Sequence, residues 1–431
     1  MGPNNTAKNI SNLYIWFIPI IIASKVVRWT IMYSKLIWMS IGNGMIERMN
    51  QGLYDFRLSM LSQVTNAASV AEANAGALFQ AINIFGIETR DQWEVFITIV
   101  YNILTLIVVI DFYKRTPQAG KYENFFIYLG IAILNIFCFC LAKEPYQMLF
   151  FFLMAIAIIK GKGYQQKSIL LGVILLITVL LSRKYFGLVL IYYFILQYIV
   201  RYLFDNINFQ TKHGKKKLII SIIYASGIIG ICYFFLLSYL SGNMEDTYTE
   251  MINANYRDMN RATVADSEIV PFFPKGNRVF AAADYVLKIF RLIFPLELII
   301  KGKVKYLFLI AFQGLLAFFI GRAFINRHTP HQERKEEDED VEESEEDIEE
   351  SEEETDEKGD DEEEDDDDDE SEDDDESEEV QKRRDEDRRQ TRTAALYLYL
   401  AFLFCSAAFE PDFGSWIRHQ GVALPIMLLI L

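Results

Sequence analysis

The sequence predicts an all-α fold: a polytopic bundle of about ten transmembrane helices carrying a disordered acidic cytoplasmic loop. Three observations predict it. The chain of 431 residues is 52% hydrophobic, with 33 Phe and 23 Tyr, and most of the apolar residues fall in long blocks of the kind that cross a bilayer. Charge is segregated. Residues 331–380 hold 36 acids and three bases, a local balance of −33 against a total of −17, which leaves +16 on the rest of the chain. The remaining bases recur in short connections that fall on one side of the membrane when crossings are counted.

The first apolar segment begins at Leu13 and ends between Ala23 and Met39, where Lys25, Arg28 and Lys35 interrupt it. Those bases stand where a signal peptide would carry small residues, so a retained helix is expected. The next segments cover residues 93–112, 125–142, 145–159, 169–181, 186–200, 218–240, 304–321, 394–408 and 421–431. Several are shorter than the roughly 20 residues of a simple crossing. Those beside Lys143-Glu144 and Arg183-Lys184 are expected to be tilted, broken or re-entrant. Three units follow from this pattern: residues 1–321 as a membrane core with exterior loops 40–92 and 241–303, residues 322–392 as the acidic loop, and residues 393–431 as C-terminal membrane helices. The acidic tract has almost no apolar residues and strong self-repulsion, which predicts disorder.

Sidedness follows from the basic connections. Lys114-Arg115-Lys121 is placed inside. Lys160-Lys162-Lys167, Arg201 with Lys212-Lys215-Lys216-Lys217, Arg322-Arg327 and Lys382-Arg383-Arg384 then fall inside as well. The acidic tract is therefore expected in the cytoplasm. The outer boundary keeps the loops 40–92 and 241–303 and three junctions: Lys143-Glu144, Arg183-Lys184 and residues 410–420. Charges held at the membrane against the sorting bias are candidate functional groups. Each also has a plain alternative, snorkelling to the interface as an anchor.

The junction Glu410-Pro411-Asp412-Phe413-Gly414-Ser415-Trp416-Ile417-Arg418-His419-Gln420 concentrates two carboxylates, a guanidinium and an imidazole between apolar runs. The loop 241–303 adds Asn255-Tyr256-Arg257-Asp258 and Arg261, the apolar turn Phe272-Phe273-Pro274, and an amphipathic stretch with Asp284, Lys288, Arg291 and Glu297. An interfacial helix explains that stretch without a ligand; an anion-binding face built from Arg257, Arg261, Arg278 and Arg291 is the sharper alternative. The four cysteines, Cys138, Cys140, Cys232 and Cys405, all lie in apolar segments and predict neither a disulfide framework nor a metal site.

Several junctions resemble those of bacterial polysaccharide polymerases of the O-antigen and exopolysaccharide type. Leu141-Ala142-Lys143-Glu144-Pro145-Tyr146-Gln147 is similar to a Ser-Lys-Glu…Gln junction of that family. Arg183-Lys184-Tyr185-Phe186 resembles its Arg-x-Tyr-Tyr junction. Arg291-Leu292-Ile293-Phe294-Pro295-Leu296-Glu297 resembles a segment before a late helix. Phe413-Gly414-Ser415-Trp416-Ile417-Arg418-His419 with Pro425 resembles the family's ending, and Gly76-Ala77-Leu78-Phe79-Gln80 its early exterior loop. The chain departs from the family in Asp412, in His419-Gln420 and in the acidic insert.

The resemblance implies a membrane glycosyltransferase of the bacterial plasma (inner) membrane. It would polymerise repeat units of a polyprenyl-pyrophosphate-linked oligosaccharide into surface polysaccharide on the outer face. Membrane lipid and other polysaccharide-assembly proteins are the further expected partners; nucleic acid, a cofactor and a metal are not expected. A leaving pyrophosphate is best stabilised by fixed guanidinium groups. Arg183, Lys184, Arg257, Arg261, Arg291, Arg418 and Lys143 are therefore the candidate substrate-binding residues. An acceptor hydroxyl needs a base, for which Glu410, Asp412, His419 and Glu144 are the candidates. Tyr256 and Trp416 are candidates for stacking on sugar rings or for anchoring at the interface. The alternative functions are a non-catalytic membrane subunit and a lipid-linked glycan transporter or flippase.

Overall fold

The structure is a computed structural model that describes residues 4–39, 70–87, 90–140, 143–183, 185–200, 212–243, 269–273, 277–300, 306–326, 371–410 and 413–431. Among these, all regular structure is helical. The helices are α1 (Asn4–Met39), α2 (Val70–Ala81), α3 (Arg90–Arg115), α4 (Lys121–Ile133), α5 (Lys143–Lys160), α6 (Gly163–Leu181), α7 (Phe186–Ile195) and α8 (Lys212–Asn243). They continue as α9 (Arg278–Ile293), α10 (Leu296–Ile300), α11 (Leu307–Asn326), α12 (Ser371–Phe409), α13 (Phe413–Gly421) and α14 (Leu424–Ile430). Short π-helical turns extend α4 over Leu134–Cys138 and α7 over Leu196–Val200.

Helix covers most of each predicted apolar segment, but among the described residues five stretches are long and apolar enough to cross a membrane: Asn5–Thr30, Gln92–Arg115, Gly163–Leu181, Ile219–Tyr239 and Arg383–Phe409. The other segments are shorter or broken. The 125–142 segment ends its α-helix at Ile133 and turns π. The last apolar run is helical only from Leu424 to Ile430, and all seven of those residues are buried.

Helix reaches into both ends of the stretch assigned to the acidic loop. The acidic loop was expected to run over 322–392, yet Arg322 lies within α11 and α12 begins at Ser371. Further along, Glu386 accepts a hydrogen bond from Gln390 one turn on. Residues 327–370 of the acidic tract lie outside the described residues. The early exterior loop also changes. Its Gly76-Ala77-Leu78-Phe79-Gln80 motif is part of α2, where Ala75 and Phe79 are buried and Asn74 donates to the Leu181 carbonyl at 2.6 Å.

The bundle is built around α12. Its apolar window is 89% buried, against 17% for α1, which places α12 at the centre and α1 at the periphery. A helix apolar on every side is buried on every side. The α12 helix packs against α5, α6, α7, α9, α11 and α14.

Two groups of paired charges lie at opposite ends of the bundle. Lys167 of α6, fully buried, donates to Asp387 and Thr391 of α12 at 3.0 Å each. Arg322 of α11 pairs with Glu123 of α4 at 2.8 Å, and Asn9 donates to the Ala119 carbonyl at 3.0 Å. At the other end, Arg28 of α1 pairs with Glu94 of α3 at 2.8 Å. From Asn9 to Arg28 a helix rises about 28 Å, close to the roughly 30 Å of bilayer hydrocarbon.

Candidate functional site

The site grows from a break in a helix. A π turn widens the ladder by one residue and frees carbonyls from it. Here the Phe139 amide reaches back to the Leu134 carbonyl at 2.8 Å. The Ile136 carbonyl accepts from Arg28 Nη1, and the Phe139 carbonyl from Lys25 Nζ, both at 2.8 Å. Both bases also bind Glu94 Oε1, Arg28 at 2.8 Å and Lys25 at 3.3 Å. Asn135 of the π turn and Asn102 of α3 exchange side-chain amide bonds at 2.9 Å in each direction. Lys25 and Arg28, two of the bases that interrupt the first apolar segment, thus hold the π turn from within a continuous helix.

The opposite face of that turn carries α13. Cys138 Sγ donates to the Arg418 carbonyl at 3.3 Å. A Cβ on Gly421 would lie 3.2 Å from Cys138 Sγ and 3.3 Å from Ile133, so glycine permits this close approach. On the far side, Gln420 is fully buried, exchanges side-chain amide bonds with Gln313 of α11 and donates to the Tyr399 hydroxyl of α12 at 2.6 Å. With Gln420 locked, the neighbouring Arg418 and His419 have fixed positions.

Four of the predicted residues meet there. His419 Nδ1 is hydrogen-bonded to Glu410 Oε1, just past the end of α12. His419 Nε2 lies 3.9 Å from Glu144 Oε1 in the first turn of α5. Arg418 Nε lies 3.3 Å from the same oxygen. Lys143, the residue before Glu144, bears electrostatically on it. Burial alone would raise the Glu410 carboxyl, but His419, hydrogen bonds from His419 and Ser415, and the charge of Lys288 hold it below the usual carboxylate range.

Arg183 stands beside this cluster. Its guanidinium lies 5.3 Å from the centre of the Tyr185 ring, and the Tyr185 hydroxyl feels both Arg183 and Glu410. Arg291 is turned differently. It pairs with Glu297 and lies 4.7 Å over the Phe272 ring, and it lines a cavity with Lys288, Asp284, Tyr285 and Ala407. Tyr285 fixes this wall: its hydroxyl bonds the Phe404 carbonyl at 2.7 Å and the Tyr192 hydroxyl at 3.0 Å. Trp416 is not a sugar platform or an interface anchor. It is fully buried, with its ring centre 5.9 Å from that of Phe402. Asp412, Lys184, Arg257, Arg261 and Tyr256 lie outside the described residues.

Sequence reasoning gave no site role to Lys288, Gln147, Lys25, Arg28 and Glu94. Lys288 was visible as a base on an amphipathic helix. Gln147 stands one turn after Glu144, hence on the same face, and is buried with its Nε2 unpaired among the described residues. His419 Nε2 and the Ser182 hydroxyl are likewise buried without a hydrogen-bond partner among those residues. Unpaired buried donors and acceptors are costly, and their gathering at one bundle end suits a polar ligand.

The arrangement supplies two chemical capabilities. An imidazole held through Nδ1 by a carboxylate presents Nε2 for proton transfer. A guanidinium held through Nε, with 44% of its side chain exposed, keeps other N–H groups for an anion. Comparison with protein-family models, with curated proteins and with solved structures gives no match. The class that fold and site define is, among the described residues, an all-helical protein with five helices able to cross a membrane and a charged cluster at one bundle end, buried except for Arg418.

Proposed function

We propose that the protein is a multi-pass glycosyltransferase of a bacterial plasma membrane, joining lipid-pyrophosphate-linked oligosaccharide repeat units on the outer face. The observation that carries this reading is the Glu410–His419–Glu144–Arg418 cluster at a bundle end, buried except for Arg418, beside Arg183 and Lys288. Glu410 orients His419. The acceptor sugar hydroxyl gives its proton to His419 Nε2 as its oxygen bonds to the anomeric carbon of the donor. The bond from that carbon to the pyrophosphate breaks, and its electron pair leaves on the lipid pyrophosphate. Arg418, with Arg183, stabilises the charge that develops on the leaving group. Glu144 ties Arg418 and limits its rotation.

A transporter is the weaker alternative. Carriers keep their ligand-binding charges near the bilayer midplane, whereas this cluster lies at helix ends, at the first turn of α5 and just past α12. The test supplies lipid-pyrophosphate-linked repeat units to membranes containing the wild-type chain or His419→Gln. Polymer formed by the wild type and lost in the variant, at equal protein level, is the expected result. Equal polymer from both removes the catalytic assignment.

A further inference from the structure

The end opposite the charged cluster carries a second site. A cleft of about 540 Å³ opens there, lined by Arg115, Arg322, Arg388 and Arg392 and floored by Leu428 and Leu429. A smaller cleft of about 280 Å³ adjoins it and shares Arg388 and Arg392. Three of the arginines are matched by carboxylates: Arg115 by Asp111 at 2.7 Å, Arg322 by Glu123 at 2.8 Å and Arg388 by Asp385 at 3.8 Å. Asp387, on the same wall, is engaged by the buried Lys167 at 3.0 Å. Among the described residues, the one bond of Arg392 goes to the main-chain oxygen of Leu431, at 3.0 Å. Arg115 also donates its Nε to the same Asp111 oxygen, at 2.8 Å. Among the described residues, the guanidinium groups of the cleft thus outnumber the carboxylates that face them, above an apolar floor.

Guanidinium forks match the geometry of phosphate oxygens. Basic pockets between membrane helices suit anionic headgroups, whose acyl chains continue along apolar surface. We propose that this cleft binds a phosphate-bearing anion, presented by an anionic phospholipid headgroup or by a free phosphate compound. The proposal stands independently of the glycosyltransferase reading, which uses residues at the other end of the bundle.

The test uses the purified full chain in detergent, offered phosphatidylglycerol or phosphatidylcholine in mixed micelles. The wild type should retain phosphatidylglycerol in preference, less so as salt rises. Arg388→Gln with Arg392→Gln should weaken retention by about tenfold or more, the loss expected for charge-assisted hydrogen bonds. Inorganic phosphate that displaces the lipid would identify free phosphate as a ligand; failure to displace it would identify the headgroup. A second measurement needs no variant. Photocrosslinking phosphatidylglycerol to the wild type should label peptides around Arg115 and Leu428. Equal retention of both lipids without phosphate binding, unchanged retention in the double variant, or crosslinks scattered over the apolar belt would each overturn the proposal.

Discussion

Arg418 Nε lies 3.3 Å from Glu144 Oε1, joining two junctions that are 274 positions apart in the sequence. The same carboxylate lies 3.9 Å from His419 Nε2. One side chain of α5 thus faces both functional groups of α13, and its buried charge sets where each can point.

For the imidazole, this geometry predicts a role in proton transfer. His419→Gln should lower polymer formation by about 10²–10⁴-fold, the usual contribution of a positioned acid or base. Glu410→Gln should act in the same direction, because it removes the group that orients the ring. Polymer yield from membranes with matched protein levels is the measurement. Full activity in both variants would remove the base from the mechanism.

For the guanidinium, Arg418→Ala and Arg418→Lys should each cost on the order of 10²-fold in polymer formation. Lysine keeps the charge but not the planar fork. Arg183→Ala should behave alike, while Arg384→Ala, exposed on α12, should leave polymer formation unchanged. Recovery of activity in Arg418→Lys would show that charge alone suffices.

The buried pair at α1 gives a prediction about stability. Glu94→Ala leaves Arg28 and Lys25 uncompensated, and breaking such a pair costs about 3–5 kcal/mol. Replacing Arg28 and Glu94 together by leucine should recover much of that loss. Thermal unfolding in detergent compares the variants; equal melting of wild type and Glu94→Ala would contradict the pairing.

A pH prediction follows from Glu410. Its carboxyl is held below the usual range in the folded chain, so the unfolded chain takes up the proton first as pH falls. The contribution to stability is complete above the unfolded carboxylate value of about 4.3 and is lost as pH falls through the folded value. Glu410→Gln should flatten the fall in melting temperature over that range. An identical acid profile in the variant would count against it.

Sidedness is the remaining prediction. Cysteines placed at Asn255 and Ser415 should react with an impermeant thiol reagent from outside, and one placed at Lys216 only after permeabilisation. Outside labelling of Lys216 would invert the assignment. The native cysteines among the described residues are buried or half-buried, which favours a low background.

The helices were legible because apolar blocks of crossing length have few alternatives in a bilayer. Their breaks were not: the π turn after Ile133 lies against Gly421, a close approach that composition does not show. The meeting of Glu144, Glu410, Arg418 and His419 was legible as shared sidedness. The separate engagement of Arg291 was not, because Glu297 as its partner depends on how the chain turns at Pro295. Lys25 and Arg28 were visible as bases in an apolar run, but their target, a carbonyl freed by a π turn, leaves no mark of its own in the sequence.

The helix α12 runs from Ser371 to Phe409 without a glycine or proline. It carries Arg392 of the cleft at one end of the bundle and leads into Glu410 at the other. Each residue of an α-helix advances the angular phase by about 100°. One residue inserted between Arg392 and Phe409 would therefore turn one end away from its partners while leaving the other in place. The length of this segment is constrained to the residue, even where the identity of its side chains is not.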